Sequence, residues 1–127
     1  MPRQPITTDQ APAAIGPYSQ AVRSGRQVFL SGQIPLDPVT GQLVEGDIAM
    51  QTRRVFDNIK AVCAAAGGSL DDIARIGIYL TDLGDFAAVN AVMAEVFSAP
   101  YPARSTIQVS ALPRGAHVEI DAILSFD

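Results

Sequence analysis

The chain has 127 residues, 48% of them hydrophobic and 17% charged, which fits one domain spanning residues 1–127 with a core of its own. Nine basic against thirteen acidic residues leave a net charge of −4, the wrong sign for a broad phosphate-binding surface and for a nucleic-acid partner. A single cysteine and a single histidine exclude a disulfide framework within the chain and a multi-residue Cys/His metal site.

The first seventeen residues hold four prolines and read as an extended arm leading into the fold. Tyr18 to Ile34 suggests two strands around a Ser24-Gly25 turn, with Val28, Leu30 and Ile34 on one face. The stretch PLDPVTGQLVEG breaks into turns. Asp47 to Ala66 then predicts a helix: Ile48, Thr52, Val55, Ile59, Val62 and Ala66 step by three and four. Asp47 can cap its start, and Gly67-Gly68 supplies the stop.

Ile73 to Leu80 alternates as a strand, Ile76, Ile78 and Leu80 against Arg75, Gly77 and Tyr79. A second helix is predicted over Asp85 to Phe97, striped by Phe86, Val89, Met93, Val96 and Phe97, with Asp82 as its cap and Asp85 in the box position. Ala103–Ser110 and Val118–Phe126 read as two further strands joined by an LPRG loop. Neither a signal-type leader at MPRQPITTDQ nor an apolar run of membrane-spanning length is visible, so a cytoplasmic protein without a membrane partner is expected.

The pattern is α+β: a single mixed sheet carrying two helices on one face. The uncovered face is then expected to gather Gly77, Tyr79, Arg104, Thr106, Gln108, Glu119, Asp121 and Ile123. With positive mean hydropathy and few charges, that face is expected to meet another subunit. Within it, Arg104 and Glu119 stand out, although spacing alone reads them as a cross-strand ion pair on a wet surface. Asn90 reads as a satisfied buried amide, Cys63 as packing and His117 as a surface residue. No phosphate loop, GxSxG elbow or Ser-His-Asp order is present.

Four segments, in order, carry a resemblance. They are Ala11-Pro12-Ala13-Ala14-Ile15-Gly16-Pro17-Tyr18-Ser19-Gln20-Ala21, Ser31-Gly32-Gln33-Ile34-Pro35, Asp85-Phe86-Ala87-Ala88-Val89-Asn90, and Pro102-Ala103-Arg104-Ser105-Thr106 with Val118-Glu119-Ile120 after Leu112-Pro113. The set resembles the reactive-intermediate deaminase (YjgF) family. That resemblance implies a chorismate-mutase-like homotrimer with a site in each cleft between subunits. The implied activity is hydrolysis of 2-imino acids, formed from enamines, to 2-oxo acids and ammonia, which clears reactive metabolites; no cofactor or metal is implied.

Residue by residue, the resemblance assigns Arg104 to the substrate carboxylate and Glu119 to the water. It places Tyr18 on the cleft wall from the N-terminal arm, Ser31 and Gly32 beside the pocket, and Asn90 on the second helix. Thr106 stands where many members carry cysteine, so thiol chemistry is not expected at that position. The competing expectation is a module that binds small carboxylates such as 2-oxo acids without turnover.

Overall fold

A computed structural model describes residues 3–127. Six strands form one sheet: β1 (Gln4–Ile6), β2 (Ala21–Ser24), β3 (Gln27–Gln33), β4 (Ile73–Leu80), β5 (Ala103–Gln108) and β6 (Val118–Ser125). Their order is β1-β2-β3-β6-β4-β5, antiparallel throughout except for the parallel pair β4 and β5. Helix α1 (Ile48–Ala65) links β3 to β4, and α2 (Phe86–Val96) links β4 to β5. The expected α+β architecture, two helices over one mixed sheet, is therefore present.

Sequence chemistry explains the element ends. Asp47 Oδ1 accepts from the Met50 amide at 2.9 Å, holding a donor that the first helical turn leaves orphaned. At the other end Gly67 takes a φ of +86°, and the Gly68 amide donates back to the Cys63 carbonyl, closing the helix in the left-handed manner glycine permits. Asp82 serves a different element from the one expected. It caps a short 3-10 turn, Leu83–Asp85, and Asp85 precedes α2 without a side-chain cap bond.

The core lies between the helices and one sheet face. Val28, Leu30, Ile76, Ile78, Leu80, Ile120 and Leu124 pack beneath Val55, Ile59, Val62, Val89 and Val92, all buried. Phe56 and Phe97 meet edge to face, their ring centroids 5.5 Å apart. Cys63 is buried in this layer as expected, and burial pushes its thiol up to about 12, so it stays protonated and inert at neutral pH.

Two register details depart from simple alternation. Leu30 pairs with Ala122 but Gln33 pairs with Ile120, so β3 carries one extra residue and bulges at Ser31-Gly32. Gln33 takes the buried place expected for Ile34. On β5, Ile76 pairs with Arg104 and Ile78 with Thr106. Arg104, Thr106 and Gln108 therefore share the helix side of the sheet, which corrects their expected place on the open face. Ser105 and Ile107 face the open side instead, Ile107 with 49% of its surface exposed.

Candidate functional site

The N-terminal arm is fastened by one buried amide. Gln20 donates from Nε2 to the carbonyls of Thr8, Ala11 and Pro12, and its Oε1 accepts from the Thr8 amide at 2.7 Å. Ser31, in the β3 bulge, donates from Oγ to the Ser19 carbonyl at 2.6 Å. These bonds hold the arm against the β3 bulge, with Tyr18 exposed beside it. Tyr18, Ser31, Gly32 and Glu119 line one cleft of about 510 Å³, together with Ile34 and Arg114.

Glu119 projects from β6 onto the open face, opposite Tyr79 in the register. Its carboxyl group lies against Gly32: a Cβ there would stand 2.8 Å from Glu119 Cδ. No described residue of the protomer donates a hydrogen bond to it. Burial, and secondly the neighbouring Asp121 charge, push its pKa above the ordinary carboxylate value. An acceptor so placed is a stronger base than a solvated carboxylate.

Arg104 stands elsewhere. At the edge strand β5 its Nη1 donates to Asn90 Oδ1 and lies 3.4 Å from Met93 Sδ, while its Cζ sits 5.2 Å from the centre of the Phe86 ring. All three partners belong to α2. A second cleft of about 440 Å³ is lined by Asn90, Met93, Tyr101, Pro102 and Arg104. Asn90 is thus half-buried and holds the arginine, rather than bonding a loop. Thr106, two residues on, points the same way, and its buried hydroxyl finds no partner among the described residues.

The single protomer consequently brings Tyr18, Ser31, Gly32 and Glu119 together, and Arg104 with Asn90, on opposite sides of the sheet. It does not bring Arg104 to Glu119. Sequence reasoning missed Arg114, which lines the Glu119 cleft while donating from Nη1 to the Gly41 carbonyl at 2.9 Å. Its place was recoverable, since the loop that enters β6 must lie at the same sheet end as Glu119. Also missed was the bond from the Tyr79 hydroxyl to Asp121 Oδ2, 3.0 Å long. His117 is exposed, and among the described residues its Nδ1 meets Thr81 Oγ1 alone. Among the described residues, no three His, Cys, Asp or Glu side chains gather as a metal site, and no helix is long and apolar enough to cross a membrane.

Known proteins resemble the chain over nearly its whole length. A family model described as Endoribonuclease L-PSP matches residues 8–125. The chain is 58% identical to Protein DfrA of Myxococcus xanthus over 125 residues, 97% of this chain and 95% of the relative. It is 45% identical to the 2-iminobutanoate/2-iminopropanoate deaminase of Dermatophagoides farinae over 123 residues, 97% and 96% of the two chains. Among solved structures, RidA from an Antarctic Psychrobacter superposes with a TM-score of 0.94 at 54% identity, covering 98% of this chain and all of that one.

Proposed function

The chain belongs to the Endoribonuclease L-PSP family, which holds the reactive-intermediate deaminases its motifs resemble, and from that premise we propose that it hydrolyses 2-imino acids to 2-oxo acids and ammonia. The observation that carries this reading is the Glu119 carboxyl group: half-buried in a cleft, given no donor by the described residues of its protomer, and shifted toward greater basicity. A carboxylate spent on a structural ion pair would be shifted the other way. The relative from Dermatophagoides farinae, named for this deamination, matches across the same length.

Arg104 is the natural partner for the substrate's carboxylate. Only Nη1 is engaged by described residues, so the Nε–Nη2 edge, the fork that grips a carboxylate at two points, is left for a ligand. Because Arg104 and Glu119 lie on opposite sheet faces, one substrate reaches both only where two protomers meet. We therefore read the assembly as a homotrimer in which the β5 edge of one chain closes the Glu119 cleft of the next.

In that cleft the chemistry is short. The imine carbon is already electrophilic, and the protein mainly has to aim a water at it. As the water oxygen bonds to carbon, its proton passes to Glu119. Glu119 then returns the proton to nitrogen, and the carbon–nitrogen bond breaks as the carbonyl forms, the remaining hydroxyl proton passing to nitrogen so that ammonia leaves. Tyr18 and Ile34 line the cleft beside Glu119. No step calls on a thiol, so Thr106 does not hinder it.

Ammonia release, or semicarbazone trapping, with imines generated in situ from several amino acids tests the reading. Acceleration over buffer is expected with at least one; none with any would leave the carboxylate-binding module in its place.

A further inference from the structure

Glu119 and Asp121 share the open face of β6, two residues and about 7 Å apart along the strand. Each carboxyl group lies over a glycine of a flanking strand. Glu119 covers Gly32 on β3, and Asp121 covers Gly77 on β4, where a Cβ would stand 2.5 Å from Asp121 Oδ1 and 2.9 Å from the Tyr79 hydroxyl. Tyr79 faces Glu119 across the β4–β6 register but reaches diagonally to donate to Asp121 Oδ2 at 3.0 Å. Like charges on one strand face repel. Here a phenol fixes one of the pair, and two bare glycines make room for both.

We propose that Asp121 is a positioning residue for the hydrolytic site: held over Gly77 by the Tyr79 hydroxyl, it keeps a fixed negative charge beside Glu119 and makes Glu119 the better proton acceptor. The inference rests on reading Glu119 as the base. Within the protomer, the other described groups near Glu119 do not replace this effect. From β4 come Tyr79 and Arg75, and Arg75 is turned to Ser105 on β5, its Nη2 donating to Oγ at 3.2 Å. From the arm comes Tyr18, and from the turn before β6 comes Arg114, engaged with Gly41. Ser31 and Gly32, facing from β3, carry no charge. Tyr79 itself is pushed toward higher pKa, first by its bond to Asp121, and so remains a donor at neutral pH.

The test follows Glu119 by carboxyl-carbon NMR titration in the assembled protein, alongside the pH–rate profile for imine hydrolysis. In Asp121→Asn, Glu119 should titrate at lower pH, and the acid limb of the rate should move with it. At a pH on the wild-type acid limb the variant should keep roughly threefold more of its own plateau rate. Asp121→Glu should bring both back toward wild type. Tyr79→Phe, which releases the carboxylate without removing it, should move Glu119 in the same direction and decides the matter if Asp121→Asn fails to assemble. An unmoved Glu119 titration, beside a fast wild type, overturns the role of Asp121 alone. A wild type no faster than buffer removes the hydrolase reading, however Glu119 titrates.

Discussion

Arg104 and Glu119 project from opposite faces of the same sheet: Arg104 pairs with Ile76, whose side chain is in the core, while Glu119 pairs with Tyr79 on the open side. No rotamer change carries either through the sheet. If both handle one substrate, they belong to different subunits.

Subunit mixing reads this directly. Arg104→Ala and Glu119→Gln should each be nearly inactive, yet unfolding them together and refolding the mixture should restore roughly a quarter of the wild-type rate, the chance that a random neighbour pair supplies one intact residue each. Sedimentation equilibrium should give three times 13.4 kDa for each variant and for the mixture. Absence of any recovery in well-formed mixed trimers would place both residues' roles within one chain, against the geometry.

The distance between sequence and structure is instructive at this same pair. Strand alternation correctly separates Arg104 and Thr106 from Ile107, yet it cannot say which set meets the helices. Edge strand β5 breaks the usual rule by turning Ile107 outward and a charged arginine toward α2, where Asn90 and Phe86 receive it. Helix α1 was legible because its apolar stripe and both caps agree, and β4 because its isoleucines alternate without interruption. The bulge at Ser31-Gly32 was not legible, since an inserted residue leaves the composition unchanged and shifts only the register. The family resemblance supplied the candidate residues; the fold places them in two groups on opposite faces of the sheet.

Arg104→Lys keeps the charge and loses the fork. An ammonium stacks less well on Phe86 and cannot grip a carboxylate at two points, so kcat/KM is expected to fall on the order of 100-fold while the trimer persists. Near-normal turnover in a folded trimer would show that two-point clamping is not what Arg104 does.

Gly32→Ala addresses the bed on which Glu119 rests. Gly32 has no left-handed φ, so an alanine strains no backbone; its Cβ would instead meet Glu119 Cδ at 2.8 Å and push the carboxyl group aside. Turnover should drop roughly 10- to 100-fold, the usual cost of a displacement of about 1 Å at a reacting group, with the melting temperature little changed. Full activity in this variant would mean that the seating of Glu119 over Gly32 is not used in catalysis.

Glu119→Gln separates chemistry from binding and also reports on stability. The amide keeps the shape but cannot accept the water's proton, a role worth ~10²–10⁴ in rate, so kcat should fall while calorimetric affinity for a 2-oxo acid changes little. Stability should move the opposite way. Burial raises the folded-state pKa of Glu119 above its unfolded value near 4.5, so between those two values the folded protein binds the extra proton. The contribution of Glu119 to stability is therefore complete below about 4.5 and is lost as pH rises through the raised folded value, where a half-buried charge must be carried. Glutamine is neutral at every pH and escapes that loss. The melting temperature of Glu119→Gln minus that of wild type should be smallest near pH 4 and grow toward pH 7, measured by circular dichroism at fixed protein concentration. A difference that stays flat with pH would mean that Glu119 is solvated like any surface carboxylate, and its standing as the site's base would go with it.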